Sequence, residues 1–249
     1  MKKRLLVLGL AFTMLAATAC GTSSDGGSKT SKADKTVTAT SNDNKKTEKQ
    51  NNDDKDSKKE ETKESYKSAD DITMDDLNNH EETSADDFEY GDGPDGSVVI
   101  DGYTGEDPIV VIPNEIDGKK VVDFGKIFTN NKDIVAVRVG DNVENIKEGA
   151  FGNCDNLKYI ILGKNVKVFE HGNVGGKKFE QLELNDGLEQ LGEEGTSGAV
   201  IILNKDKVEV KIPESVNHMA FTGAKTLIVK AGSYAESFAK EHNMDYRVE

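Results

Sequence analysis

Residues 132–184 repeat themselves, and that repetition constrains the chain more than any other feature. Ile134, Val137, Val139, Val143 and Ile146 are followed 23 residues later by Leu157, Ile160, Leu162, Val166 and Phe169. A third pass, offset by 22, gives Phe179, Leu182, Leu184, Leu188 and Leu191. Five apolar positions recurring in one order describe a unit that cannot bury its apolar side alone and must stack on copies of itself. Within a unit, Asn156-Leu157-Lys158-Tyr159-Ile160-Ile161-Leu162 alternates, so Ile160 and Leu162 share one face and Tyr159 and Ile161 the other. Stacked, such segments make a narrow parallel sheet, with Val143 and Ile146, or Val166 and Phe169, folding back to close the core.

The chain around this repeat is uneven. Residues 1–19 read as a secretion signal: a basic start at Lys2, Lys3 and Arg4, an apolar run from Leu5 to Leu15, then small residues. The apolar stretch is shorter than the roughly 17 to 25 residues a spanning helix needs. Cys20 follows Ala16-Ala17-Thr18-Ala19 and precedes Gly21, which resembles the lipobox of bacterial lipoproteins, although Ala17 stands where that family usually has Leu. The resemblance implies a thiol carrying a diacylglycerol and a protein held on the extracellular side of the bacterial membrane, since two acyl chains supply stable attachment. Residues 20–87 are built of Ser, Thr, Lys, Asp, Asn and Glu, with Tyr66 the sole aromatic, and are expected to be a disordered acidic linker. Within it, 68–79, with Ile72, Met74 and Leu77 among carboxylates, has the makings of a brief helix.

Ordered structure is expected from Phe88. Asp92-Gly93-Pro94-Asp95-Gly96 before Val98-Val99-Ile100 predicts a hairpin, and the loop lacks the spaced carboxylates of a calcium site. Ile109 begins the next strand. The segments from Val111 to Val121, from Ile146 to Leu157 and from Ala231 to Ala239 resemble BspA-like leucine-rich repeats, a family of bacterial surface proteins. That resemblance implies an α/β solenoid, a short irregular leucine-rich-repeat stack over 88–249, with an N-terminal hairpin and a C-terminal capping helix, and a role in adhesion. Downstream the pattern loosens: Gly172 to Gly176 is a glycine-rich turn, and after Leu191 come the loose stretch Gly192 to Gly198 and Val200-Ile201-Ile202-Leu203, which falls outside the period. Val208, Val210 and Ile212 alternate with Glu209 and Lys211 as a half-exposed strand. Ser233 caps a predicted helix to His242 with Ala235, Phe238 and Ala239 inward, and Tyr246 to Val248 closes the stack.

The formal net charge of −14 argues against nucleic acid as a partner. With Cys20 and Cys154 the only cysteines, the chain is no disulfide scaffold, and Cys154, with no basic neighbour to lower its pKa, reads as a core residue. His80, His171, His218 and His242 have no ligand-spaced partners, and neither a nucleophile elbow nor a phosphate loop is present, so no enzyme, metal or cofactor is expected. A solenoid instead presents outward residues that vary between repeats. Arg138, Tyr159, Ile161, Gln181 and Glu183 form the candidate partner-binding face, with Tyr159 and Ile161 an exposed apolar pair unless they pack beneath a neighbouring loop. The expected partner is a protein or glycan on a host or bacterial surface, bound without catalysis. The alternative is a structural role in assembling the cell's own envelope.

Overall fold

The computed structural model describes residues 68–193 and 198–249; the signal segment, Cys20 and the linker as far as residue 67 lie outside the described residues. The chain winds as a mostly parallel β-solenoid of about six turns. No helix among the described residues is long and apolar enough to cross a membrane.

Three sides make up each turn. The front carries Ile109–Val111, Ala136–Arg138, Tyr159–Ile161 and Gln181–Glu183, all parallel and in register, with Val110, Val137, Ile160 and Leu182 aligned and buried. A second front ladder holds Glu209–Lys211, Thr226–Val229 and Tyr246–Val248. The two ladders adjoin, yet no ladder of backbone hydrogen bonds joins Gln181–Glu183 to Glu209–Lys211. Asn204 bridges nearby, its Nδ2 donating to the Phe179 carbonyl at 2.7 Å. The second side is an eight-stranded sheet running from Phe88–Asp92 to His218–Met219. It is parallel except at the Phe88–Asp92/Val98–Tyr103 hairpin and where Glu115–Ile116 folds onto Lys119–Phe124.

The third side changes character along the stack, which is what the loosening of the sequence pattern encodes. Early turns cross it at Ala150-Phe151, whose side chains are buried; later ones cross it as strands, Gly172–Val174, Val200–Ile202 and Phe221–Thr222. The apolar run after Leu191 therefore has a place, and the single sheet expected from the repeat is one of several. Gly172 makes the change possible: a Cβ there would lie 2.9 Å from the Gly149 backbone, so only glycine lets the new strand approach the turn above.

Of the fifteen repeat positions, all but Leu184 are buried. They share one core with an aromatic series, Phe88, Tyr103, Phe128, Phe124, Phe151 and Phe169, whose neighbouring ring centroids lie 5.4 to 6.1 Å apart. At the C-terminal end the helix Tyr234–Glu241 begins as its sequence predicts, with Ser233 Oγ accepting from the Glu236 N–H at 3.2 Å and Ala235, Phe238 and Ala239 buried.

Structure begins before Phe88. Residues 68–87 contain the helix Met74–Asn79, closed by a Thr73/Asp76 capping box, and they lie across the front of the stack. A segment this polar could not build a core of its own. It orders because Ile72 and Leu77, both fully buried, insert into a surface the repeats already provide. Burying each contributes about 1.5 to 3 kcal/mol.

Candidate binding face

Outward side chains on the first front ladder stand in two rows. Ile109, Ala136, Tyr159 and Gln181 make one; Val111, Arg138, Ile161 and Glu183 make the other. Along the first row the character runs from apolar to polar; along the second, apolar and charged residues alternate. Ile109, Val111 and Ala136 are fully or nearly buried even though they face away from the solenoid core. With Ile72, Leu77, Val135 and Tyr159 they form a second apolar cluster, outside the first, and the 68–83 segment is its lid.

Polar contacts fasten this strap at intervals. Lys158, only 6% exposed, points its Nζ at the Ile72 carbonyl, 2.7 Å away, and lies 5.0 Å from the centre of the Tyr159 ring. Lys178 Nζ meets Asp70 Oδ1 at 3.0 Å. Arg138 Nη2 donates to the His80 carbonyl at 2.6 Å. At the outer edge the Thr83 N–H donates to the Val111 carbonyl at 3.0 Å, and the Val111 N–H returns a bond to Thr83 Oγ1 at 2.9 Å. That exchange blunts the outer edge of the Ile109–Val111 strand. His80 Nε2 lies 3.6 Å from Asp107 Oδ2, and this carboxylate holds the imidazole pKa above its ordinary value.

The five residues singled out from the sequence thus share one side of one ladder but two environments. Of the two readings of Tyr159 and Ile161, an open pair or a pair packed beneath a neighbouring segment, the second holds. Tyr159 is 8% exposed beneath the strap, its hydroxyl donating to Glu180 Oε2 at 2.8 Å, and burial together with that carboxylate pushes its pKa up to about 12. Ile161 is half-buried at the strap's margin and Arg138 is half-buried behind His80. Gln181 and Glu183 lie beyond the strap and bond each other, Nε2 to Oε1, at 2.7 Å. What composition could not show is which segment covers the apolar part. The readable signal was the unbroken run Ile109-Val110-Val111-Ile112, apolar on both faces, which is the mark of a strand covered on both sides.

From Gln181 onward the front is open. Its outward residues continue as Glu209 and Lys211, then Thr226 and Ile228, then Arg247. Between the two ladders runs a shallow groove of about 560 Å³, lined by Glu180, Gln181, Glu183, Leu184, Lys207, Glu209, Lys211 and Ile228. Charges along it are paired across strands: Arg247 with Glu209 at 3.2 Å and Lys211 with Glu249 at 2.6 Å. Leu184 and Ile228 supply apolar area between them. The groove is open to water, with none of the enclosure that raises the strength of catalytic electrostatics.

Elsewhere the titratable groups act between turns. His171 sits 3.6 Å from both Glu148 and Glu193, on the turns either side. Cys154 is fully buried with Sγ 2.9 Å from the Phe128 carbonyl, and burial pushes its pKa up to about 12, so the thiol is a packing group. Among the described residues no group of three or more His, Cys, Asp or Glu is placed to hold a metal ion.

No protein-family profile and no curated protein matches the chain. Solved structures do. A leucine-rich-repeat protein of T. pallidum aligns with 59% of this chain and 71% of its own at 26% identity and a TM-score of 0.49. One from Bacteroides ovatus aligns with 67% of this chain and 52% of its own at 19% identity and TM-score 0.43. A leucine-rich cell surface protein from Faecalibacterium prausnitzii aligns with 59% and 54% at 16% identity and TM-score 0.36. The chain's own geometry is that of a leucine-rich-repeat stack: short parallel front strands with the same apolar positions buried turn after turn.

Proposed function

We propose that this chain is a lipid-anchored bacterial surface protein of the BspA-like kind, whose repeat stack binds another protein without catalysis through the open half of its front. One observation carries the reading. Outward apolar character on the front ladder stops where the strap stops, and beyond it lies a continuous surface of alternating charge with Leu184 and Ile228 set into it. Solenoids bind through a regular face with varied side chains, and an interface needs apolar anchors ringed by polar groups. The lipid anchor rests on the sequence around Cys20, and adhesion to a host or neighbouring cell is the use such a display serves.

The experiment is capture with the chain from residue 21 onward, immobilised through its N-terminus. Host matrix proteins and the cell's own envelope fraction are offered separately to the wild type and to a Glu183→Arg/Lys211→Glu variant. A protein held by the wild type and lost by the charge-reversed variant supports the reading. Equal capture by both would remove the open half as the binding surface. Capture of envelope components alone would replace adhesion with a role in envelope assembly.

A further inference from the structure

The strap is held as a ligand is held. It packs on the outside of a sheet whose other face already closes the solenoid core, and its apolar cluster is distinct from that core. Between residues 68 and 87 the chain carries eight carboxylates and no lysine or arginine. The groups beneath and beside it are Arg138, Lys158 and Lys178, three cations gathered in a protein of net charge −14. Lys158 and Arg138 both donate to main-chain carbonyls of the strap, so two of the three cations recognise its backbone and accept any side chain there.

The fit is also incomplete. Arg138 Nε is buried without a hydrogen-bond partner while its Nη2 is bonded to the His80 carbonyl. A guanidinium presents Nε and Nη2 as a matched pair of donors, and a carboxylate accepts both at once. A carbonyl oxygen takes only one. A carboxylate in place of the His80 carbonyl would therefore use a donor that the strap leaves idle, at a site where an unmet buried donor is costly.

We propose that residues 68–83 occupy, as an intramolecular stand-in, a docking site for an acidic amphipathic segment of a partner protein. The incoming segment displaces the strap, seats two apolar side chains where Ile72 and Leu77 lie, and places a carboxylate on Arg138. This site is separate from the open half of the front and does not depend on it. Because the strap is tethered beside its site, its effective concentration is in the millimolar range, and a free peptide of equal intrinsic affinity competes poorly with it.

Fluorescence anisotropy of a labelled synthetic peptide of residues 68–83 tests this on the chain from residue 21 onward. In an Ile72→Asp/Leu77→Asp variant the tethered strap is ejected, and the peptide is expected to bind saturably and at least tenfold more tightly than to the wild type. Adding Arg138→Met and Lys158→Met to that variant should abolish the binding. Circular dichroism and thermal melting check that the stack survives each change. A folded, strap-ejected variant that ignores the peptide overturns the proposal, and so does a wild type that binds it equally well. Should the ejected variant fail to fold, hydrogen exchange of the wild type decides. Strap amides exchanging at least tenfold faster than those of Val139 and Leu162 support displacement, and exchange only in step with them overturns it.

Discussion

Truncating Leu77 to alanine measures how far the strap is an independent layer. The side chain is fully buried, in the cluster on the outer side of the front ladder. Losing three methylene equivalents at ~0.8 kcal/mol each removes about 2.4 kcal/mol of transfer free energy. The strap lies against solvent on its other side and can settle into the space, so the cavity contribution is small and the total falls near the low end of the roughly 2 to 5 kcal/mol seen for Leu→Ala. A change of about 2.5 kcal/mol is a factor of roughly 70 in the opening equilibrium. Native-state hydrogen exchange reads it residue by residue. The amides of Leu77, His80 and Thr83, bonded to the carbonyls of Thr73, Leu77 and Val111, should exchange about 70-fold faster. Those of Val139 and Leu162, which donate to Ile161 and Glu183 inside the stack, should not change. Equal acceleration everywhere would mean that strap and stack unfold as one, and the layered description would fail.

Two further outcomes follow from single contacts. Asp107 raises the His80 pKa in the folded chain, so the stability this pair lends the strap is complete below the unfolded value of about 6.5 and is lost as pH rises through the folded value. An NMR titration should place His80 above 6.5, and Asp107→Asn should bring it down; an unchanged midpoint would dismiss the contact. A methyl at Gly163 would collide with the Gly140 carbonyl oxygen, whereas one at Gly125 meets nothing within 4 Å. Gly163→Ala should therefore cost about 2 to 3 kcal/mol, or ~6 to 10 °C in melting temperature, and Gly125→Ala almost nothing; equal melting points would refute the close approach of successive turns.

The solenoid itself was legible because its physics is periodic. A parallel ladder buried on one side forces Val137, Ile160 and Leu182 to the same place in each turn, and the spacing survives in the sequence. So was the capping helix, whose Ser233 cap and buried stripe are local features. The short helix of the strap was legible over 68–79, but its docking was not, because Ile72, Met74 and Leu77 among eight carboxylates average to a linker, and their receptacle lies 30 to 90 residues away in sequence. Tyr159 and Ile161 were rightly placed on the outward side; what covers them was a long-range fact. Another signal lay in plain view. Lys126 and Glu148, Lys132 and Asp155, Lys147 and Glu170, and Lys167 and Glu189 each pair between adjacent turns at 2.7 to 3.5 Å, and each is separated by the repeat length. Single exposed pairs stabilise little, yet opposite charges one period apart mark which turns are neighbours.

The interruption between Gln181–Glu183 and Glu209–Lys211 gives the front a property that an unbroken ladder lacks. On the other two sides hydrogen bonding crosses the same level: Gln190–Leu191 pairs with His218–Met219, and Val200–Ile202 with Phe221–Thr222. The stack is therefore stitched behind and unstitched in front, like a spine bound along one edge. Flexing about the bound sides widens or narrows the groove without breaking a backbone hydrogen bond, so the curvature of the front is resisted there only by side-chain contacts such as that of Asn204. A partner that touches both ladders sets that curvature as it binds, and one that touches a single ladder leaves it free.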